Sequence, residues 1–200
     1  MSDLPLDEVM RVTRARLAAR TRREVPPGPL IKAAVLLPLL DRGEPYVAFA
    51  KRTDRVGHHR GQISFPGGVI DPGDATPLEA ALRECEEEVA LPRAAVEPLG
   101  MLDDTETFAT RFVITPFVGL VREPPAWQPD GDEIEKVIEI PLAALMADGC
   151  FRVEEWERDG VRRDVYFFDY RGDTVWGATA RILKQFLDVL RGTADPGGPA

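Results

Sequence analysis

A glycine-rich turn followed closely by a strongly acidic helix constrains the fold of this chain more than any other feature. The turn is Phe65-Pro66-Gly67-Gly68, and the helix carries Glu84, Glu87 and Glu88. Glutamates at positions i, i+3 and i+4 share one helix face, where like charges repel each other unless a cation holds them. Oxygen ligands at this density suit a hard divalent ion, Mg²⁺ or Mn²⁺, so the segment predicts a metal-dependent enzyme of phosphate chemistry. The alternative interpretation is an ordinary solvated acidic face.

Neighbouring residues favour the metal site over the solvated face. Arg83 stands four residues before Glu87, where its guanidinium can hold that carboxylate in one rotamer. Thr76 is predicted to be the N-cap of the helix and Pro77 its first residue, because both residue types favour helix initiation at those positions. The backbone carbonyl of Gly68 is predicted to add a further oxygen ligand beside the glutamates.

Composition limits the class of protein and its partners. The chain has 200 residues, of which 44% are hydrophobic, so we expect one folded domain. A net charge of −9 argues against a nucleic-acid-binding surface. The two cysteines, Cys85 and Cys150, provide no disulfide framework and fit a reducing cytosol, and no apolar run is long enough to span a bilayer. We therefore expect a cytoplasmic protein with no nucleic-acid or membrane partner.

The pattern of apolar and turn residues predicts the organisation of the chain. A helix is expected from Leu6 to Arg23, with its arginines forming a solvated face. Residues 1–30 are predicted to be this helix and a linker, packed on a domain that spans residues 31–191, and residues 192–200 are predicted to be a disordered tail. The other predicted elements are strands over 31–40, 46–51, 112–121 and 137–140, a hairpin of 151–157 with 161–169, and helices over 141–146 and 179–190.

The segment from Gly68 to Leu91 resembles the Nudix box of the Nudix hydrolases. That loop–helix–loop carries a glycine, an acidic residue, Arg-Glu, a Glu-Glu pair and a closing glycine followed by an apolar residue, and the matching residues are Gly68, Asp74, Arg83, Glu84, Cys85, Glu87, Glu88 and Leu91. Asp74 replaces the usual glutamate, one extra residue separates it from Arg83, and Ala90 replaces the closing glycine. If position 90 is a left-handed helix cap, alanine there costs roughly 1 kcal/mol of stability and touches no metal ligand.

The segment before the turn is similar to the signature of the Nudix hydrolases that cleave coenzyme A. It contains Lys51-Arg52-Thr53, His59 and the run from Gly61 to Gly68. That subfamily also carries the aspartate and the extra residue, so both departures from the general box support the resemblance, which covers roughly residues 31–190. The sequence differs from the signature at Gly57, where arginine is usual, and at Ala48-Phe49-Ala50, where Leu-Leu-Thr is preferred.

The resemblance implies a fold and a reaction. The fold is a Nudix α/β/α sandwich with a mixed sheet, in which the acidic helix and the terminal helix lie on opposite faces. The reaction is Mg²⁺- or Mn²⁺-dependent hydrolysis of the pyrophosphate bond of coenzyme A and its derivatives. Its products would be 4′-phosphopantetheine, or its acyl form, and adenosine 3′,5′-bisphosphate. A homodimer is compatible with the family.

The site residues follow from the acidic helix and from the resemblance together. The metal ligands are Gly68, Glu84, Glu87 and Glu88. The candidates for the substrate phosphates are Arg52, His59 and Arg60. The catalytic set consists of Arg83 with Glu88 or Glu133, the last two being alternative general bases.

Two other functions and one other residue role stay open from the sequence. The protein could be a Nudix hydrolase for another nucleoside diphosphate, such as ADP-ribose or NADH, which would not depend on the 3′-phosphate of coenzyme A. It could also be a non-catalytic module that senses nucleotides, although such a module has no need of the intact glutamates. Trp176 is predicted to lie in the core, with stacking on adenine as the alternative.

Overall fold

The structure is a computed structural model, and it describes residues 5–26, 28–54, 61–107, 110–158 and 160–193. Within these ranges the helices are α1 (Leu6–Ala19), α2 (Pro77–Val89), α3 (Leu142–Leu145) and α4 (Gly177–Arg191). None of these helices is long and apolar enough to cross a membrane. The strands are β1 (Ile31–Asp41), β2 (Pro45–Arg52), β3 (Ile63–Ser64), β4 (Gly67–Val69), β5 (Glu97–Met101), β6 (Thr105–Glu106), β7 (Phe112–Val121), β8 (Ile134–Pro141), β9 (Phe151–Arg158), β10 (Val161–Tyr170) and β11 (Asp173–Trp176).

Long apolar strands form the centre of the larger sheet. β1 is buried from Ala33 to Leu40, as is typical of a strand covered on both faces. β7 pairs with β1 in parallel along nearly its whole length, whereas β2 pairs with the other edge of β1 in the antiparallel sense. The strand order is β3-β2-β1-β7-β5, with β4, β6 and β8 attached to β1, β7 and β2. The sheet is therefore mixed.

Helices cover both faces of this sheet and produce two separate cores. On one face, apolar residues of α2 pack with Ala34, Leu36 and Phe117. On the other face, residues of α1 and α4 pack with Leu37 and Phe49. A smaller antiparallel sheet, ordered β11-β10-β9, contacts α4 through β10 and β11. This arrangement confirms the predicted α/β/α sandwich, with the acidic helix and the terminal helix on opposite faces.

The N-terminal helix is shorter than predicted, and two of the arginines predicted for its solvated face are not solvated. α1 ends at Ala19, after which the backbone is extended. Arg16 donates hydrogen bonds to the last carbonyls of α4, where a basic side chain is favourable. Arg20 and Arg22 form ion pairs with the two aspartates that connect β5 to β6, at 2.6 and 2.5 Å. The prediction of a solvated arginine face is wrong for Arg20 and Arg22, because the aspartates replace water around them, whereas Arg16 stays exposed beside the end of α4.

The end of α2 explains how the chain accepts alanine where the Nudix box has glycine. Ala90 has φ 56° and ψ 36°, which is the left-handed conformation considered from the sequence. Its N–H donates to the carbonyl of Glu86 at 3.2 Å, and the N–H of Leu91 donates to the carbonyl of Cys85 at 3.1 Å. These bonds satisfy the end of the helix, and the Cβ of Ala90 carries the strain.

Ala90→Gly is expected to raise the free energy of unfolding by about 1 kcal/mol, because glycine adopts this backbone conformation without a Cβ clash. Urea denaturation of both proteins measures the difference. Ala95→Gly is the matched control, since Ala95 lies in the 3₁₀ turn Arg93–Ala95 after α2 and does not have a positive φ. Glycine at position 95 should lower stability, because it adds freedom to the unfolded chain. A destabilising effect at both positions would contradict the strain assigned to Ala90.

Candidate active site

At the two glycines of the turn, the backbone approaches other atoms closely. β4 pairs with β1, which aligns Gly67 with Val35 and Gly68 with Ala34. A Cβ on Gly67 would lie 2.3 Å from the carbonyl oxygen of Ala34, and φ at this glycine is +145°. A Cβ on Gly68 would lie 2.5 Å from Oε1 of Glu84. The turn is thus held between the central strand and the acidic helix.

The start of α2 fixes how the helix presents its glutamates. Oγ1 of Thr76 accepts a hydrogen bond from the N–H of Glu79 at 3.2 Å, and Pro77 is the first helical residue. The side chain of Glu79 accepts in turn from the N–H of Ala75 at 2.9 Å. The predicted helix start is therefore confirmed. The helix buries the face that includes Cys85 against the sheet. On its acidic face, the carboxylate of Glu84 lies next to Gly68 of the glycine turn.

Arg83 connects the loop before α2 to the helix itself. Its Nε and Nη2 donate to the two carboxylate oxygens of Asp74, each at 3.1 Å. Its Nη1 donates to Glu84 at 2.9 Å and to Glu87 at 3.1 Å, which confirms the predicted contact with Glu87. Nη2 also donates to the carbonyl of Val69 at 3.2 Å. The hydrogen bond between Arg83 and Asp74 is the largest cause that raises the pKa of the guanidinium and lowers the pKa of the carboxyl.

The three glutamates of the acidic face differ in exposure and in charge. The side chain of Glu87 is 60% exposed and that of Glu84 is 20% exposed, whereas Glu88 is buried. Oε2 of Glu88 accepts a hydrogen bond from the N–H of Gly67 at 3.1 Å. Burial raises the pKa of Glu88 to about 8; the Gly67 N–H opposes this shift, and the charge of Glu84 adds to it. Burial also raises the pKa of Glu84, against the effect of Arg83.

The chemistry of these side chains fits a hard divalent cation. A buried carboxylate beside a second carboxylate is unfavourable unless it is protonated or a cation neutralises it. As the side chains lie, no three described His, Cys, Asp or Glu residues are grouped closely enough to hold an ion. The guanidinium of Arg83 engages both Glu84 and Glu87 in this arrangement. The candidate metal ligands are nevertheless all oxygen atoms, and the buried Glu88 is paired with no described basic side chain. Both features suit Mg²⁺ or Mn²⁺.

Two more of the predicted residues contact each other, Arg52 at the end of β2 and Glu133 just before β8. Nη2 of Arg52 donates to Oε2 of Glu133 at 2.7 Å, and the N–H of Thr53 donates to the Glu133 carbonyl at 2.8 Å. The charge of Arg52 lowers the pKa of Glu88, and that of Glu133 raises it. Nε of Arg52 is buried and has no hydrogen-bond partner among the described residues. The structure therefore pairs Arg52 with Glu133, and the charges of both act on Glu88.

Other parts of the predicted site are either outside the described residues or were missed. His59 and Arg60 lie outside the described residues, as does Gly57. Sequence reasoning did not identify the bidentate role of Asp74 or the N–H of Gly67 as a donor to the site. The Arg–Asp pair could have been proposed from the shifted position of the acidic residue, but a backbone donor leaves no signal in the identity of a side chain.

The α/β/α sandwich, the glycine turn and the acidic helix together define a class of hydrolases for phosphoric anhydrides. The chain belongs to the Nudix family, because the family model of the NUDIX domain matches residues 30–164. It is 39% identical over 153 residues to the uncharacterized Nudix hydrolase NudL of Yersinia enterocolitica, covering 76% of this chain and 78% of that protein. The NudL protein of Salmonella paratyphi B is 38% identical over 154 residues, covering 77% and 80%.

Comparison with solved structures supports the fold. A MutT/nudix family protein from Enterococcus faecalis superposes with a TM-score of 0.56 at 16% identity, covering 80% of this chain and 62% of that one. Membership of the Nudix family and the likeness to the NudL proteins make the chain a Nudix-type pyrophosphatase that acts on nucleoside diphosphate derivatives, and Nudix hydrolases generally use divalent ions such as Mg²⁺ or Mn²⁺. Membership of this family favours an enzyme over the non-catalytic sensing module.

Proposed function

We propose that this Nudix hydrolase cleaves the pyrophosphate bond of coenzyme A and its derivatives. The products are 4′-phosphopantetheine, or its acyl form, and adenosine 3′,5′-bisphosphate. The position of Arg52 is the observation that carries the proposal. Arg52 belongs to the segment Lys51-Arg52-Thr53, which resembles the coenzyme A signature, and it lies beside Glu133 with its charge acting on Glu88. A guanidinium in this position is suited to pair with a phosphate of the substrate.

One departure from the coenzyme A signature is a matter of packing. Ala48, Phe49 and Ala50 lie in β2 and are at most 2% exposed. Phe49 stacks on Phe65 with 4.9 Å between the ring centroids, and the two alanines pack on the α2 side of the sheet. Replacing the usual Leu-Leu-Thr by these residues changes the two cores without changing a surface that a substrate contacts. The departure therefore does not weigh against coenzyme A.

The metal ligands are proposed to be Gly68, Glu84, Glu87 and Glu88, with Mg²⁺ or Mn²⁺ as the ion. When bound, the ion supplies charge neutralisation and Lewis acidity at the pyrophosphate. Arg83 is proposed to be a positioning residue, because its hydrogen bonds go to oxygen atoms of the protein. By holding Glu84 and Glu87 together with the loop, it limits the reorganisation that binding requires.

Glu133 is proposed as the general base. Its side chain is 55% exposed, so water reaches it, and Arg52 holds one of its oxygens. In the reaction, a water oxygen attacks phosphorus, the phosphoric anhydride bond breaks, and the proton of the water passes to the Glu133 carboxylate. Glu88 is enclosed and bonded to the N–H of Gly67, which suits a ligand better than a base. His59 and Arg60 are proposed to contact the substrate phosphates.

A cytoplasmic location and a homodimer are two further proposals. Cys85 and Cys150 are free and buried, which suits a reducing compartment. Sedimentation equilibrium checks the assembly state.

Product analysis by chromatography tests the proposed substrate. The protein is incubated with Mg²⁺ or Mn²⁺ and equal concentrations of coenzyme A, dephospho-coenzyme A, ADP-ribose or NADH. Adenosine 3′,5′-bisphosphate is expected to form from coenzyme A faster than any product forms from the other three. Dephospho-coenzyme A isolates the contribution of the 3′-phosphate, because it differs from coenzyme A in that group alone. Faster cleavage of ADP-ribose or NADH would overturn the proposal and favour the alternative nucleoside diphosphate.

A further inference from the structure

A cleft separate from the acidic helix opens where the two sheets meet. Its volume is about 370 Å³, and it lies between β3, the end of β6, the β9–β10 hairpin and the start of α4. Ile63 and Trp176 form apolar parts of its wall, and Thr107 and Thr110 add hydroxyls. The lining contains none of the glutamates of the acidic face. The cleft is therefore a second place where part of a substrate can be held.

Arg181 in α4 lines this cleft without a partner. It forms no ion pair and no hydrogen bond with any residue in the described part of the chain, although it is half-buried. Burial lowers the pKa of its guanidinium; Tyr166 opposes this effect, and the charge of Arg163, which lines the same cleft, adds to it. A desolvated guanidinium of this kind gains most from an anion that accepts two of its hydrogen bonds.

Two carboxylates share the cleft, and neither satisfies Arg181. Glu106 is exposed and acts on Arg181 only through its charge. Glu157 accepts a hydrogen bond from Nε of Arg162 at 3.2 Å, so its charge is partly compensated. A phosphate is the ligand chemistry that fits the remaining requirement, because it offers several charged oxygens to one guanidinium.

The wall beside Arg181 suits an aromatic base. Trp176 stacks on Phe167 at 11° between the ring planes and lies 5.7 Å from Trp156, which is 41% exposed. The prediction that Trp176 lies in the core is wrong, because this residue is half-buried and lines the cleft. A Cβ on Gly177 would meet nothing within 4 Å, and α4 begins there with no side-chain cap. Because no side chain caps the start of α4, its first N–H groups leave a partial positive charge at this end of the cleft, which favours an anion beside the aromatic wall.

One short segment joins this cleft to the acidic helix. Gln62 lines the cleft, and its carbonyl accepts a hydrogen bond from the N–H of Arg52 at 2.9 Å. Gly67, whose N–H donates to Glu88, follows within the same segment. An extended chain from residue 62 to residue 67 spans at most about 18 Å, so this wall of the cleft and the N–H that donates to Glu88 lie no farther apart than that.

We propose that this cleft binds the phosphorylated nucleoside end of the substrate, with Arg181 pairing with a ribose 3′-phosphate and Trp176 stacking with the base. The inference rests on the proposed cleavage of coenzyme A, whose nucleoside end carries this phosphate. The other end, a pantetheine arm, has amides and no charge. It would leave the desolvated guanidinium of Arg181 without a counter-ion.

Steady-state kinetics of Arg181→Gln test the inference. The variant is expected to lower kcat/KM for coenzyme A by about 10- to 100-fold, mainly through KM, because it removes a charge-assisted contact to a bound group. Turnover of dephospho-coenzyme A should be nearly unchanged. Arg181→Lys should recover part of the loss, since it restores the charge without the bidentate geometry. Arg191→Gln, at the exposed far end of the same helix, is the control and should change kcat/KM for neither substrate.

The outcomes separate this inference from the proposed function. Suppose that the wild type prefers coenzyme A. If Arg181→Gln keeps that preference, or loses activity toward coenzyme A and dephospho-coenzyme A equally, the inference is overturned while the function stands. If the wild type shows no preference for coenzyme A, the function fails, and calorimetry with adenosine 3′,5′-bisphosphate and adenosine 5′-monophosphate decides the inference. Tighter binding of the bisphosphate by the wild type, lost in Arg181→Gln, supports the subsite. Equal binding of the two nucleotides by the wild type overturns it.

Discussion

Replacing Glu88 with glutamine is expected to abolish hydrolysis and also to make the metal-free protein more stable at alkaline pH. The loss of activity should be roughly 10³-fold or more, because a proposed ligand loses its charge at the reacting phosphates. The gain in stability has a separate cause. Glu88 is buried next to the charge of Glu84, so its ionised form is unfavourable unless a cation is bound.

The direction of the pH effect follows from the pKa of Glu88. Its ordinary value is 4.5, and in the folded protein burial raises it to about 8. A carboxyl whose pKa is raised by folding contributes its full stability when the pH is below its pKa in the unfolded chain. That contribution is lost as the pH rises through its pKa in the folded protein. The wild type should therefore lose stability relative to Glu88→Gln between about pH 4.5 and about pH 8. The accumulated difference should be a few kcal/mol, at about 1.4 kcal/mol per pKa unit.

Urea denaturation of both proteins in EDTA, across this pH range, measures the difference. The informative quantity is how the difference in the free energy of unfolding between the two proteins changes with pH, because any effect of the new amide nitrogen is constant with pH. Addition of Mg²⁺ or Mn²⁺ should then stabilise the wild type more than the variant. Glu133→Gln is the comparison variant: as a proposed base, it should lose turnover and keep the stabilisation by metal. A Glu88→Gln enzyme with full activity would remove Glu88 from the ligand set.

The long strands and the helix starts could be predicted because each depends on local sequence. The apolar runs of β1 and β7 and the cap at Thr76 are examples. β5 could not be predicted in this way, because it contains Pro98 and Gly100, which disfavour strands. It pairs with β7 only through a register shift between these two residues, and a Cβ on Gly100 would lie 2.9 Å from Leu17 in α1. A contact with a distant helix therefore outweighs the local propensity.

In the candidate site, too, some features follow from local sequence and others depend on tertiary packing. The shared face of the glutamates and the contact of Arg83 with Glu87 follow from helical spacing, and the structure confirms the contact. The pairing of Arg52 with Glu133 joins residues from two strands that are distant in sequence, so no local pattern encodes it. The exposure of Trp176 in the cleft likewise depends on how the two sheets meet. Local sequence specified the kinds of groups in the site, whereas tertiary packing decided which of them touch.

Gly68→Ala is expected to lower kcat/KM by roughly 100-fold or more while leaving the fold intact. The added Cβ would lie 2.5 Å from Oε1 and 2.9 Å from Oε2 of Glu84, so this carboxylate must move. Glu84 is a flexible side chain, and φ at Gly68 is not positive, so the backbone tolerates alanine and the loss of stability should be small. A displacement of about 1 Å in a reacting constellation is enough for a 100-fold loss of rate.

Gly73→Ala provides the matched control for this prediction. Gly73 lies in the same loop before α2, has no positive φ, and a Cβ there would meet nothing within 4 Å. Thermal unfolding should give nearly equal midpoints for the two variants, whereas kinetics with coenzyme A should separate them. Equal activity of the two variants would mean that the position of Glu84 against Gly68 is unimportant for the reaction. A large loss of stability in Gly68→Ala would instead mean that the turn itself, rather than the carboxylate, gives way. The separation of activity from stability therefore tests whether this close approach of backbone and carboxylate serves the chemistry.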